Sequence, residues 1–316
     1  EDQAYDLVFG YQAYMIDNIA NGDFMNLLDL PYLQMGQKWW TQEGVDSLTL
    51  NGRCYMATGD LFLSMWQSLF CTYFNKDLAA EYGINDIYSL VKSGDWTHDK
   101  MAEYTMMVYD DLNGDDIYDE NDKYGLVGGE TPLREFIVAY NTPIVAINGS
   151  EISMAWNTER TVKVVEDLVT LFKTNSAYNT SQSTYRNMFK DGHVLFMLNT
   201  LDTAATLRAT DIDFGIIPYP MMNKDQGAYF TSTGNSSSMA CVPVTVRDED
   251  MSALVLEALA RKGDEYVQPA FYETALRGKM TRDQESQDMI DIIRNGLRFD
   301  FGWVHSVALN LGQSYQ

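Results

Sequence analysis

Short apolar runs, each followed by a segment with helical character, recur along this chain, and that alternation limits its possible folds more than any other feature. Residues 69–74 are apolar almost throughout and too few for a buried helix, so they read as a strand covered on both faces. Asn75 follows, then a helix over 76–82 that Gly83 ends, because glycine takes the left-handed C-cap conformation at little cost. Residues 5–9 read as another buried strand, followed by a helix over 12–20 stopped at Asn21-Gly22. Asn51-Gly52 is a hairpin-type turn before a strand over 53–57. Residues 194–198 and 214–217 read as further buried strands. Helices are expected over 98–109 with Thr97 as N-cap, over 131–140 with Pro132 in its first turn, and over 184–191, 251–260 and 284–295. The strongest lies over 158–174, where Val162, Val165, Leu168, Val169 and Phe172 share one face that is expected to meet the core. Strands alternating with helices predict an α/β class built on parallel sheet.

A length of 316 residues implies about two folding units by the prior of ~150 residues each. No run of 18 apolar residues marks a membrane span. Glu1-Asp2-Gln3-Ala4-Tyr5 has neither the basic stretch nor the apolar centre of a secretion signal, so any such signal is expected to have been removed. Acidic residues outnumber basic ones 45 to 22, giving a net charge of −23. That balance excludes nucleic acid as a partner, since phosphate binding needs basic patches, and it disfavours anionic lipid. Cys54, Cys71 and Cys241 are too few for a disulfide framework and read as buried, inert thiols, with one pair left open to oxidation outside a cell. His98, His193 and His305 are too scattered for a metal triad, and the first two read as surface groups. The sequence patterns of serine hydrolases, zinc proteases, P-loops and dinucleotide folds are missing from the chain.

Residues 111–122 form a strongly acidic loop. Asp111, Asn113, Asp115, Asp119 and Asp122 stand at loop positions 1, 3, 5, 9 and 12, and Ile117 would offer its carbonyl at position 7. A tight loop with this spacing can wrap calcium, which takes six to eight oxygens. Asp116 replaces the usual glycine at position 6 and Asp122 replaces the usual glutamate, as in the dockerin-type loops that this segment resembles. The alternative is a solvated acidic loop. A structural Ca2+ is the expectation, pinning the loop and taking no part in chemistry.

Several segments, taken in order, resemble family 1 extracellular solute-binding proteins, the maltose-binding-protein-like group. Tyr73-Phe74-Asn75-Lys76-Asp77-Leu78 is similar to that family's strand-to-helix junction, Asn51 to Ala57 to the strand before it, and Asp95-Trp96-Thr97 to a helix start. Phe189-Lys190-Asp191-Gly192, Asp213-Phe214-Gly215-Ile216-Ile217-Pro218-Tyr219-Pro220 and Thr281 to Ile290 resemble later segments. The resemblance implies a type II periplasmic-binding-protein-like fold: two α/β lobes, a hinge and a cleft between them. Residues 1–60 with 236–275 would form the N-terminal lobe, and 65–232 with 276–316 the C-terminal lobe, crossing near 59–66 and 232–238. Family members carry about a hundred further residues before the 5–9 strand, so the N-terminal lobe is expected to be incomplete.

The function implied is capture of a carbohydrate, expected to be an oligosaccharide, and its delivery to the permease subunits of an ABC importer. The receptor would be a monomer, extracellular or periplasmic, and anchored as a lipoprotein. Ligands of such folds meet strand ends and crossing segments. That implies Asp60 and Trp66 in the first crossing, Gly129 and Glu130 at a turn opening a helix, Asn199 and Asp202 after a strand, Thr233 and Asn235 in the return crossing, and Trp303 as a stacking aromatic. Ordinary roles stay open at each of them: helix capping, ion pairing and packing. Two rival readings also stay open. One is a glycosidase using a carboxylate pair drawn from Asp60, Glu130 and Asp202. The other is an adhesion or scaffold module using the calcium loop.

Overall fold

The main sheet is mixed rather than parallel, and this sets which strand ends meet. A computed structural model describes residues 4–148, 150–234, 237–272, 281 and 283–305. Its strands are β1 (Val8–Tyr11), β2 (Phe70–Asn75), β3 (Tyr109–Asp110), β4 (Lys123–Gly128), β5 (Val145–Asn148), β6 (Glu151–Met154), β7 (Ala177–Asn179), β8 (Val194–Thr200), β9 (Phe214–Ile217) and β10 (Ser238–Cys241). The large sheet runs β3-β4-β8-β2-β9, with β7 also on β4. β4 is parallel to β7 and β8, while β2 is antiparallel to both β8 and β9. Phe70 at the start of β2 is therefore in register with Thr200 at the end of β8. Gly128 pairs with Asn179, so the ends of β4 and β7 lie at the same edge of the sheet. β2, β4 and β8 are buried almost throughout, as apolar runs without alternation require.

Sequence signals fix several elements locally. The Asn75 side chain accepts the Leu78 N–H at 3.1 Å and starts the helix Lys76–Glu81. Asp283 caps Gln284–Asn295 through the Ser286 N–H, and that helix sends the Ser286 hydroxyl to the Ile216 N–H of β9. Trp96 is fully buried and donates to the Pro218 carbonyl at 3.0 Å.

A second, two-stranded sheet pairs β1 with β10 antiparallel. Around it lie the helices Gln12–Asn21 and Glu249–Lys262 and the segment holding Trp39 and Trp40. Both indoles donate to the buried Glu257 carboxylate, each at 2.9 Å. That answers how two adjacent tryptophans are accommodated: Trp40 is buried, Trp39 half-buried, and one acceptor serves both. Among the described residues, two crossing segments, near 59–66 and 231–238, link the two sheets. Ser64 and Ser238 meet at 3.0 Å, and the Phe70 N–H donates to the Ser232 carbonyl.

Several expectations need correction. The strand near the start is Val8–Tyr11, and it is not buried: Tyr5, Phe9 and Tyr11 are exposed. Residues 53–57 form no continuous strand. Leu50 and Arg53 close a turn over Asn51 and Gly52, both at positive φ, and Ala57 makes one bridge to Ala240. The 98–109 helix ends at Met106, and the Thr97 hydroxyl makes no capping bond. The expected 131–140 helix divides at Glu135 into Glu130–Arg134 and Phe136–Ala139. His98 is buried, its Nδ1 2.7 Å from the Tyr140 hydroxyl, and burial pushes its pKa down. The three cysteines are buried and free. The helix Glu159–Phe172 starts at Thr158 and faces inward with Thr161, Val164 and Leu171; of the expected face, Leu168 and Phe172 pack half-buried against the core, while Val162, Val165 and Val169 are 53%, 45% and 44% exposed.

Candidate functional site

The edge of the large sheet where β4, β7 and β8 end and β2 begins opens into a groove of about 700 Å³. Its walls include Phe70 and Ser68, the turn Gly129 to Pro132, the start of the helix Gln182–Lys190, and Asn199, Thr200 and Asp202. Each wall is fixed from below. Gly129 lies against the Tyr185 ring, where an added Cβ would stand 3.1 Å from the ring carbon and 3.2 Å from the Thr180 carbonyl. Ser181 caps the Gln182–Lys190 helix through the Thr184 N–H, which aims Tyr185 and Arg186 at the groove.

The polar groups divide into a floor and a rim. At the floor, Arg186 Nη2 donates to Asn199 Oδ1 at 3.2 Å and to the Thr203 hydroxyl at 2.8 Å. Asn199 Oδ1 also accepts the Thr200 N–H. Three buried polar atoms of these lining residues have no hydrogen-bond partner among the described residues: Arg186 Nε, Asn199 Nδ2 and the Tyr185 hydroxyl, which Gln182 approaches without closing a bond. At the rim, Glu130 is ion-paired with Arg134, and Asp202 accepts the Thr200 hydroxyl at 2.5 Å. Arg186 has no carboxylate within ion-pair distance among the described residues, although basic residues elsewhere commonly do. A second hollow of about 430 Å³, between Tyr118, Phe136, Leu168 and Phe172, is mainly apolar and offers no comparable set of polar groups.

Of the residues singled out in the sequence, the groove brings together Gly129, Glu130, Asn199 and Asp202. Asp60 and Trp66 lie elsewhere. The Arg294 guanidinium stacks 4.3 Å above the Trp66 ring and 4.6 Å from Tyr272. Asp60 is buried beside this stack. Burial raises its carboxyl to about 6, against the pull of Arg294, and the Trp66 indole leans on it without closing a hydrogen bond. Gly263 backs onto Asp60 so closely that a Cβ would stand 2.4 Å from its backbone. Thr233 is buried in the return crossing and Asn235 falls outside the described residues. Trp303 is half-buried in the helix Phe301–Val304, which packs through Gly302 on Ile144 and Val145. Sequence reasoning missed Phe70, Tyr185 and Arg186. The available signal was Arg186 lying directly beside Tyr185, Met188 and Phe189, the inward positions of an otherwise polar helix.

The acidic loop joins β3 to β4. Asp111 accepts the Gly114 N–H at 2.7 Å and the Asp116 N–H at 2.9 Å, and these backbone donors hold its carboxyl below the usual range. Asp116, in the place of glycine, takes φ 57°. Asp115 accepts the Ile117 N–H, and Asn121 donates to Asp119. No group of three His, Cys, Asp or Glu side chains is gathered to hold a metal among the described residues. One feature fits a cation: Asp122 is fully buried, and its Oδ1 has no hydrogen-bond partner among the described residues.

No family model matches the chain, and no curated protein matches it in sequence. Solved structures do. The galacto-N-biose-/lacto-N-biose I-binding protein of a Bifidobacterium longum ABC transporter aligns at TM-score 0.63 and 10% identity, over 96% of this chain and 74% of that one. A family 1 extracellular solute-binding protein from Bifidobacterium longum subsp. infantis aligns at 0.63 and 15%, over 97% and 78%. UgpB from Mycobacterium tuberculosis, solved with glycerophosphocholine, aligns at 0.61 and 14%, over 97% and 77%. The chain has the solute-binding-protein fold. At such identity the likeness is one of α/β architecture, and the solute-binding-protein fold hosts more than one ligand chemistry among these neighbours.

Proposed function

We propose that this chain is an extracellular or periplasmic solute-binding receptor that captures a carbohydrate in the groove beside Arg186 and hands it unaltered to an ABC importer. The observation that carries the reading is the set of unpartnered buried polar atoms on the groove-lining residues Tyr185, Arg186 and Asn199. Each costs about 1–3 kcal/mol while unsatisfied, and a hydroxyl-rich guest for which the side chains lining the groove shift slightly would supply the missing partners. Glu130 and Asp202 at the rim accept from the guest's hydroxyls. Phe70 and Tyr185 are buried in the wall and back these polar groups from behind. The receptor would act with permease subunits and as a tethered lipoprotein. Among the described residues no helix is long and apolar enough to cross a membrane.

The same reading includes calcium in the 111–122 loop, held by Asp111, Asn113, Asp115, Asp119, Asp122 and the Ile117 carbonyl. The partnerless Asp122 Oδ1 supports it. The ion would neutralise the loop's carboxylates and fix the β3–β4 connection.

Calorimetric titration against a panel of oligosaccharides, with glycerophosphocholine as a separate arm, tests the proposal. Binding of an oligosaccharide without release of reducing sugar supports it. Release of reducing sugar favours a glycosidase. Binding of glycerophosphocholine alone overturns the carbohydrate class. Repeating the melt with a chelator and with added calcium, at matched ionic strength, tests the ion; an unchanged Tm removes it.

A further inference from the structure

Glu135 is a buried carboxyl with no ion-pair partner among the described residues, and it stands where the groove wall meets the crossing segment. It is 4% exposed, at the break between the helices Glu130–Arg134 and Phe136–Ala139, directly after the groove-lining turn Gly129 to Pro132. Its two oxygens both meet one residue of the return crossing. Oε1 accepts the Ser232 N–H at 2.5 Å, and Oε2 is 2.7 Å from the Ser232 hydroxyl oxygen, which donates to the ionised carboxyl and accepts the proton of the uncharged one.

Ser232 is the centre of a larger knot. Its hydroxyl oxygen accepts the Gly234 N–H at 2.9 Å, and its carbonyl accepts the N–H of Phe70, which lines the groove. The Thr231 hydroxyl lies beside the carboxyl but gives its proton to the Phe70 carbonyl at 2.8 Å. On the other side, the buried Gln12 amide donates to the Gly234 carbonyl at 2.6 Å and accepts the Ser237 hydroxyl at 3.2 Å, tying the crossing to the small sheet. One buried carboxyl therefore fastens the segment between the two sheets to the wall of the groove.

We propose that Glu135 is a positioning residue whose uncharged form latches residues 231–234 to the groove wall, and whose ionisation loosens that latch and frees the crossing. Burial drives the preference for the uncharged form, raising the carboxyl to about 8 against the opposing pull of the Ser232 donors. Among the described residues no cation opposes burial. On its own element Arg134 is taken by Glu130. Across from it, the Tyr219 phenol feels the charge of Glu135 but donates to the Pro132 carbonyl, and its own ionisation is pushed far up by burial. Cys71 on β2 is likewise held neutral by burial, its pKa raised. A carboxyl released to water ionises near its ordinary value, so between about pH 4.5 and 8 the latched state holds a proton that the released state has lost. Latching therefore weakens as pH rises through this window and levels off above it.

Amide hydrogen exchange, corrected for intrinsic rates, reads this directly at the Ser232 and Gly234 N–H groups of the whole chain between pH 6 and 8.5. The wild type should lose protection there by roughly tenfold or more, the consequence of a carboxyl whose pKa differs between latched and released states. Glu135→Gln keeps an acceptor for the Ser232 N–H and a donor for its hydroxyl, and should stay protected throughout. Glu135→Ala should be unprotected at every pH. Parallel profiles in wild type and Glu135→Gln overturn the proposal. Should Glu135→Gln fail to fold, a flat wild-type profile at Ser232 overturns it alone. No ligand is used, so the result stands apart from the carbohydrate reading, on which only the identification of the wall as a ligand wall rests.

Discussion

At the residue scale, two charged side chains make opposite use of burial. Arg186 has its Nη2 occupied by Asn199 and Thr203, which fixes the guanidinium plane, and its Nε left without an acceptor. An arginine held in this way is preorganised for a guest, since little rotamer freedom remains to be lost on binding. Arg186→Ala should lower affinity for whichever oligosaccharide binds by about 2–3 kcal/mol, read by calorimetric titration, a loss typical of a hydrogen bond to a charged group. An unchanged Kd would place the guest elsewhere. Asp60 is instead kept from ionising. Its carboxyl, raised to about 6, holds a proton in the folded chain that the unfolded chain loses near 4. Folding stability attributable to it is complete below about pH 4 and is lost as pH rises through about 6. Asp60→Asn removes that titration. The variant should therefore gain on the wild type by about 2–3 kcal/mol between pH 4 and 7 in urea unfolding. A difference that does not change with pH would mean that Asp60 ionises normally.

At the scale of elements, the helix Glu159–Phe172 separates what periodicity reveals from what it hides. Its existence and start were legible, because Thr158 accepts the Thr161 N–H as an N-cap should and the apolar spacing is helical. Its orientation was not. Of the stripe Val162, Val165, Leu168, Val169 and Phe172, only Leu168 and Phe172 reach the core, from its edge, and the buried centre of the face is Val164 and Leu171 with the small polar Thr161. Spacing reports that an apolar face exists, and only the packing of neighbouring elements reports which face is covered. Leu171→Ala should accordingly cost about 2–5 kcal/mol in a urea melt, whereas Val165→Lys should stay within about 0.5 kcal/mol. The groove is legible to the same partial extent. Gly129, Glu130 and Asp202 follow strands and Asn199 stands near the end of β8, where the alternation of strands and helices already predicts a ligand edge. Tyr185 and Arg186 arrive from a helix that packs across that edge, so no local pattern marks them. The mixed sheet was hidden for a similar reason. Buried strands carry no alternation that distinguishes parallel from antiparallel pairing, and the direction of β2 depends on a crossing that starts in the other sheet.

At the scale of the whole molecule, the question is what holds the two sheets in one arrangement. The crossings are braced to each other by short polar contacts, Ser64 with Ser238 and Phe70 with Ser232, and their hydroxyls and amides can be exchanged for water with little net change in energy. Beneath them one buried apolar cluster runs from Met15, Ile16 and Met239 beside the small sheet to Tyr73 and Met197 of the large one, so bending between the sheets is limited to what keeps that cluster closed. Under the proposed function, a guest in the groove that also touches the small-sheet side would add contacts available only in a closed arrangement, and binding should then shift the population toward it. Two measurements must then move together. At a hundredfold excess of ligand over Kd, the folded state gains ~2.7 kcal/mol, which appears as a rise of several degrees in Tm. Small-angle scattering on the same sample should show a smaller radius of gyration. A rise in Tm with no compaction would mean that the guest binds a rigid groove on the large sheet alone, and the crossing segments would then be connectors and not a hinge.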